Sequence, residues 1–192
     1  FELISGKKIS VKNRDIKYHS NIYGDYNYSN ICAAISIGLH FGINSNKIQN
    51  ALSSFELKNN RSQVIDINGK EIILDAYNAN PTSVSNAIES FSNVENSKAI
   101  ILGDMFELGN NSHDEHKKIV ELLSIKNIDS CYFIGEDFFK VKSKNESFYF
   151  YKTKEDFYNS DDEISESHIL IKGSRGMKME EIIKNKLKWK NT

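Results

Sequence analysis

Two short stretches combine charged, amide and glycine residues in patterns that could bind an anionic ligand. Residues 172–176 read Lys-Gly-Ser-Arg-Gly and follow the apolar run 169–171. Glycines on both sides of Ser174 let the backbone approach a ligand closely, while Lys172 and Arg175 supply positive charge. The alternative is a basic turn that binds nothing. The spacing does not fit the Gly-x-x-x-x-Gly-Lys-[Ser/Thr] phosphate loop, which occurs nowhere in this sequence.

The second stretch, residues 72–81, begins with apolar residues and ends in Asp-Ala-Tyr-Asn-Ala-Asn-Pro. Asn80 is a preferred helix N-cap and Pro81 suits the first helical position, so the pattern predicts a strand, a polar loop and a helix. Such a unit directs free backbone N–H groups beyond the carboxyl end of its strand, which favours an anion or a nucleotide. Asp75 and Asn78 lie in this loop with Asn80.

A third stretch, residues 103–109, reads Gly-Asp-Met-Phe-Glu-Leu-Gly. Its Asp104 and Glu107 could bind a cation or an ammonium group, and His116 could act as an acid or base. It is at least as consistent with a structured loop in which His116 lies on the apolar face of its helix. His113 and His116 have no third partner at zinc-ligand spacing, so we predict no metal site.

The elements that must position these residues show a change of pattern near residue 60. From residue 63 onward, apolar runs alternate with amphipathic stretches, which predicts βαβ units and a mostly parallel sheet. Asn68 and Gly69 favour a two-residue hairpin turn between the first two strands. In an open parallel sheet, ligands bind beyond the carboxyl ends of the strands, so the polar loops should share one edge. The predicted strands are 63–67, 70–74, 99–102, 131–134 and 169–171.

Residues 1–59 have a different pattern. Weak alternation over residues 1–18 predicts a hairpin or a small antiparallel meander. Apolar residues at helical spacing over residues 28–39 and 48–55 predict two helices. Asn27 and Asn30 lie on one side of a helix start, and amide side chains suit an adenine edge because they both donate and accept. The alternative is that Asn27 is merely an N-cap.

Composition excludes several classes of function. The net charge of −1 gives no electrostatic basis for binding nucleic acid or an anionic membrane. No apolar run approaches the roughly 18 residues of a membrane span. Cys32 and Cys131 are isolated thiols, which fits a reducing cytoplasm better than a disulfide framework. The chain opens on Phe1 without a methionine, inside a predicted strand, and we interpret it as a fragment.

Five segments in combination resemble the Mur ligases, the family that builds the bacterial cell-wall precursor. The segment Tyr-Asn-Ala-Asn-Pro, which ends residues 75–81, is similar to the corresponding segment of the family members that add D-alanyl-D-alanine. The segment Lys-Gly-Ser-Arg-Gly-Met at residues 172–177 is similar to another segment of the same members. Asn60 stands where the family has glycine, so Asn60 would have to tolerate a special backbone angle. Tyr26 stands where the family has histidine. The matching segments are 24–34, 60–62, 75–81, 103–109 and 172–177.

The resemblance implies an α/β fold in two parts. Residues 62–192 would be a complete Mur ligase C-terminal domain, with a Rossmann-like, mostly parallel, doubly wound sheet. Residues 1–59 would be the incomplete tail of the central ATP-binding α/β domain. The family's phosphate loop, magnesium ligands and modified lysine would precede this region. We therefore expect no catalytic residue in this chain and no catalysis by the chain alone.

The resemblance also implies roles for individual residues. Asn27 and Asn30 would contact the adenine of ATP, and Asp75 would contact its ribose hydroxyls. Arg61 would be a further ATP-binding residue. The D-alanyl-D-alanine pocket would contain Asn78, Asn80, Lys172 and Ser174.

The implied reaction is amide formation. Using ATP and Mg²⁺, the complete enzyme would phosphorylate the carboxylate of UDP-N-acetylmuramoyl-tripeptide, and the amine of D-alanyl-D-alanine would attack the acyl phosphate. We expect a cytoplasmic monomer that acts in peptidoglycan synthesis and binds no nucleic acid. Two alternatives stay open: another Mur or folylpolyglutamate-type ligase, and a nucleotide- or dipeptide-binding module without catalysis.

Overall fold

The structure is a computed structural model that describes residues 1–4, 6 and 8–187. The chain divides into two compact units, one from Phe1 to Lys58 and one from Asn59 onward. Residues 188–192, which the sequence assigns to the second domain, lie outside the described residues. Among the residues described, no helix has the length and apolar character needed to cross a bilayer.

The first unit is a small antiparallel sheet with two helices. Its strands pair in the order β1-β2-β3, so of the hairpin and the antiparallel meander that the alternation predicts, the structure has the meander. The side chains of Val11, Tyr18, Ile31 and Ile35 are among those that form its core. The elements are β1 (Glu2–Ile4), β2 (Ser10–Asn13), β3 (Ile16–His19), α1 (Tyr28–His40) and α2 (Ser45–Ser54).

The second unit is built on a six-stranded sheet in the order β4-β5-β9-β6-β7-β8. The β4–β5 pair is an antiparallel hairpin and every other neighbouring pair is parallel. Its strands are β4 (Gln63–Ile67), β5 (Lys70–Asp75), β6 (Lys98–Gly103), β7 (Ser130–Ile134), β8 (Phe148–Tyr151) and β9 (His168–Lys172). Its helices are α3 (Pro81–Ser92), α4 (Ser112–Ser124), α5 (Glu136–Lys140), α6 (Lys154–Asn159) and α7 (Glu181–Asn185).

Helices cover both faces of this sheet, so the fold is the doubly wound α/β fold that the sequence predicts. Successive strand residues point to opposite faces, and Tyr132 and Phe133 show this on β7. The Tyr132 ring packs against Phe157 of α6, and α7 belongs to the same apolar cluster. The Phe133 ring instead packs against Phe138 of α5, which contacts His116 of α4. Helix α3 in turn contacts α4.

This arrangement creates a switch point beside β9. Strands β5 and β6 lead into α3 and α4 on one face, whereas β9, which lies between them, leads into α7 on the other face. Ligands of open α/β sheets bind in the crevice that opens where neighbouring strands continue to opposite faces. The crevice here is bordered by the loops after β5, β9 and β6, which include the candidate residues Asn78, Asn80 and Ser174.

Two details of the loops follow from single residues. Asn68 and Gly69 adopt φ angles of 54° and 78°, as a type I′ turn requires. Asn80 caps α3 in a capping box with Ser83, and Pro81 is the first helical residue. Strand β8 is the one strand of this sheet that the sequence interpretation left out.

Candidate functional site

An ion pair that is largely buried joins the carboxyl ends of strands β5 and β9. Asp75 lies beside Lys172 in the register of the two strands, so both side chains leave the sheet on the same face. The Lys172 ammonium donates to Asp75 Oδ2 over 2.5 Å and to the Asn78 carbonyl over 3.2 Å. Lys172 is 2% exposed. Its charge is therefore directed into the protein, where it holds the loop after β5 in place.

Asp75 also fixes the segment that enters β4. Its Oδ1 accepts the Ser62 backbone N–H over 3.0 Å and lies 3.4 Å from the Ser62 hydroxyl. Asn59, Asn60 and Ser62 all have positive φ, at 61°, 60° and 42°. Asn60 thus adopts the left-handed conformation that the resemblance to the family's glycine implies, and Asp75 helps to hold this strained segment.

An exposed guanidinium–aromatic pair lies at the same edge. Arg61 places its guanidinium carbon 3.6 Å from the centre of the Tyr77 ring. Both side chains are exposed, so their attraction at this separation is worth about 0.5–1 kcal/mol. Arg61 is a cation held in a preferred position.

The two asparagines of the loop after β5 are exposed. Asn80 Oδ1 accepts the Ser83 N–H over 2.8 Å, so this oxygen serves the helix cap. Asn78 Oδ1 accepts the backbone N–H of Ala79 over 2.9 Å. Both side chains reach solvent beside the crevice.

The loops after β6 and β9 are bonded through Ser174, which is 2% exposed. Its N–H donates to the Asp104 carbonyl over 3.2 Å, and its Oγ accepts the Phe106 N–H over 2.8 Å. The two backbones lie so close together that a Cβ on Gly173 would be 3.1 Å from the Gly103 Cα. Met179 fills the space beside both glycines, 2.6 Å from either added Cβ.

Asp104 is a structural carboxylate. Its two oxygens accept the N–H groups of Asp137 and Phe138, each over 3.0 Å, at the start of α5. Burial raises the pKa of Asp104, and the two backbone hydrogen bonds act in the opposite direction. Gly135 makes room for this contact, because a Cβ there would lie 2.2 Å from the carboxyl carbon and φ is 131°.

His116 is fully buried and also has a structural role. Its Nε2 accepts the Met105 N–H over 3.0 Å, and its Nδ1 lies 2.7 Å from the Ser112 carbonyl. The ring proton is therefore on Nδ1, donated to that carbonyl. Of the two interpretations that the sequence left open for the loop after β6, the structure supports the structured loop. Within residues 1–4, 6 and 8–187, no group of three His, Cys, Asp or Glu residues could hold a metal ion.

In the first unit, Asn27 and Asn30 lie side by side at the start of α1. Asn30 donates through its amide to Asn27 Oδ1 over 3.1 Å, and Asn27 donates to the Tyr23 carbonyl over 2.9 Å. Asn27 is the N-cap of α1, but its side chain makes no capping hydrogen bond there. Both residues border an apolar groove of 470 Å³ between α1 and α2. The plain N-cap interpretation thus does not account for the Asn27 side chain.

Sequence reasoning missed two residues of this site. Ser62 holds the Asp75 carboxylate, and nothing in its local pattern indicates a partner on β5. Phe106 is an exposed aromatic residue at the switch point. Its position inside a glycine-bounded loop after a strand could have revealed it.

The family profile described as "Mur ligase, glutamate ligase domain" matches residues 60–175. The UDP-N-acetylmuramoyl-tripeptide–D-alanyl-D-alanine ligase of Bacillus subtilis strain 168 is 33% identical over 191 residues, covering 94% of this chain and 42% of the relative. The chain thus spans less than half the length of that curated relative.

Two solved structures share the fold. The MurF of Acinetobacter baumannii superimposes with a TM-score of 0.79 at 22% identity, covering 95% of this chain and 42% of that chain. The MurF ligase of Thermotoga maritima in complex with ADP superimposes with a TM-score of 0.78 at 20% identity, covering 98% of this chain and 45% of that chain.

Proposed function

Because the chain belongs to the Mur ligase family, we propose that it is the C-terminal part of an ATP-dependent amide ligase of peptidoglycan synthesis. The complete protein would join D-alanyl-D-alanine to UDP-N-acetylmuramoyl-tripeptide, the substrates in the name of the Bacillus subtilis relative. The observation that carries the proposal is the convergence of three loops at one switch point, tied together through Asp75, Lys172 and Ser174.

The site suits the proposed chemistry. ATP with Mg²⁺ would activate the tripeptide carboxylate as an acyl phosphate, and the dipeptide amine would displace phosphate to form the amide. Negative charge on the phosphate and carbonyl oxygens would be stabilised by fixed cations and N–H groups. Arg61 and Arg175 are exposed cations beside these loops.

For ATP we propose adenine contacts from Asn27 and Asn30, a contact from Arg61, and ribose contacts from Asp75. The hydrogen-bonded asparagine pair and the prepositioned Arg61 guanidinium support these roles. A carboxylate offers about four acceptor sites, and Asp75 receives three donors from Ser62 and Lys172. A ribose hydroxyl would use the remaining site without breaking the ion pair.

For the dipeptide we propose direct contacts from Asn78 and Asn80, which are exposed. Lys172 and Ser174 would act in the same pocket by holding its loops, since both are buried and hydrogen-bonded to neighbouring loops. Arg175 is exposed and pairs with Glu180 over 2.8 Å, and its remaining N–H groups would receive the dipeptide carboxylate.

We further propose that residues 1–59 belong to the central ATP-binding domain, that residues 62–192 form the C-terminal domain, and that the chain alone does not turn over. Its sequence has no phosphate loop, and catalysis would need one together with bound Mg²⁺. The complete protein would act in the cytoplasm as a monomer.

The test is a ligase assay on the full-length protein that carries this chain. Phosphate release should require ATP, Mg²⁺, UDP-N-acetylmuramoyl-tripeptide and D-alanyl-D-alanine together, and residues 1–192 alone should release none. Turnover with glutamate or another amino acid, but not with the dipeptide, would assign a different ligase. Ligand binding by the full-length protein without any turnover would favour a binding module.

A further inference from the structure

The loop after β6 presents an aromatic ring at the switch point. Phe106 is 44% exposed, while Met105 beside it in sequence is 1% exposed. An exposed ring is ordinary on a protein surface when nothing holds it. This ring, however, borders the crevice between β6 and β9, and its surroundings position it closely.

The ring is supported by Gly176 of the loop after β9. A Cβ added to Gly176 would lie 2.8 Å from Cε2 of Phe106, so the ring lies against bare backbone. Any side chain at position 176 would push the ring away. One part of the ring therefore contacts the loop, and the exposed remainder is available to a ligand.

The backbone under the ring is anchored on both sides of the crevice. The Phe106 N–H donates to Ser174 Oγ over 2.8 Å, and the preceding Met105 N–H donates to His116 Nε2 over 3.0 Å. Both acceptors are buried. The position of the ring is thus built into the fold, as expected of a group that must meet a ligand at a defined place.

We propose that Phe106 is a specificity-determining residue of the amine-substrate pocket, with its exposed ring packed against a methyl side chain of the D-alanyl-D-alanine dipeptide. This inference rests on the proposed function. Ser174 is the positioning residue that holds the ring in place. The other groups proposed for this pocket, Asn78, Asn80 and Arg175, are polar and would bind the backbone and carboxylate of the dipeptide. An apolar surface is what recognises the methyl groups.

The experiment compares two amine substrates on the full-length protein. A methyl contact in an apolar pocket changes kcat/KM about 10–200-fold, so the wild type should prefer D-alanyl-D-alanine over glycylglycine by about tenfold or more. Phe106→Ala should reduce this preference about tenfold and leave the KM for ATP unchanged. Ile125→Ala is the matched control, because Ile125 is 79% exposed at the end of α4 and its loss should leave the preference intact.

Two further variants separate specificity from folding. Phe106→Leu keeps an apolar side chain and should retain most of the preference. Ser174→Ala should reduce the preference while the KM for ATP stays constant, which a general loss of structure would not produce. If Phe106→Ala keeps the full preference for D-alanyl-D-alanine over glycylglycine, the inference is overturned. If Phe106→Ala does not fold, the same preference measured in Ser174→Ala decides, and an undiminished value there overturns the inference. A wild type that forms no amide with D-alanyl-D-alanine overturns the proposed function, and the inference with it.

Discussion

Asp75 ends strand β5 and Asp104 directly follows strand β6 at the same edge of the sheet, yet their partners differ. Asp104 binds two N–H groups at the start of α5, and its side chain is 7% exposed. Asp75 binds one ammonium group and the entry segment of β4, and its side chain is 14% exposed. A carboxylate satisfied by a helix start has a structural role, whereas one bound to a cation at the crevice can also accept a ligand.

The largest expected effect comes from removing Asp75. Asp75→Ala leaves the buried Lys172 ammonium without its counter-charge, which should lower the free energy of unfolding by about 3–5 kcal/mol. Hydrogen exchange of the β5 and β9 amides measures this loss within the second unit. Lys172→Met added to Asp75→Ala should restore much of the protection. If the double variant exchanges as fast as Asp75→Ala, the unpaired charge is not the cause.

A smaller loss is expected at Asp104. Asp104→Ala leaves the N–H groups of Asp137 and Phe138 without their acceptor, which should cost about 1–3 kcal/mol. Urea unfolding followed by far-UV circular dichroism measures it. Asp114→Ala is the control, because Asp114 is an exposed aspartate of α4. Equal midpoints for the two variants would contradict the structural role of Asp104.

Titration of Asp104 should have a weaker effect than its removal, because the hydrogen-bonding groups remain. Burial raises the pKa of Asp104 above the ordinary 3.8. A carboxyl with a raised folded pKa contributes stability that is fully present below 3.8 and is lost as the pH rises through the folded pKa. The unfolding free energy of the wild type relative to Asp104→Asn should therefore fall from acidic to neutral pH. A constant difference would contradict the raised pKa.

The smallest effect on stability is expected at Arg61. Arg61→Ala removes an exposed guanidinium–aromatic contact with Tyr77 and should lower the free energy of unfolding by about 0.5–1 kcal/mol. In the full-length protein the same change should raise the KM for ATP well beyond what this loss of stability explains. Arg14→Ala, in the β2–β3 turn, is the control for removal of an exposed arginine. An unchanged KM for ATP would exclude Arg61 from the nucleotide site.

The sequence allowed accurate prediction where one or two adjacent residues decide the structure. Examples are the Asn68–Gly69 turn and the Asn80 cap. Strand β8 was missed although its Phe-Tyr-Phe-Tyr composition favours a strand, because the run is short and contains no β-branched residue. These outcomes depend on local chemistry, which a single sequence displays.

The arrangement of the site depends on distant contacts and could be predicted only in part. The shared edge follows from the parallel sheet, and it was expected. The pairing of Asp75 with Lys172 depends on the register of strands whose paired residues lie 97 positions apart in sequence. The burial of Ser174 depends on the approach of the loops after β6 and β9. Neither the pairing of Asp75 with Lys172 nor the burial of Ser174 can be predicted from the residues next to them in sequence.

The packing of Met179 against Gly103 and Gly173 has a consequence for how this domain can vary over generations. An alanine at either glycine would meet the methionine side chain at 2.6 Å. A shorter side chain at position 179 would remove this contact with the added methyl group. Substitution at either glycine therefore requires the Met179 side chain to move, and at Gly173 it also brings the added Cβ to 3.1 Å from the Gly103 Cα, which no change at position 179 relieves.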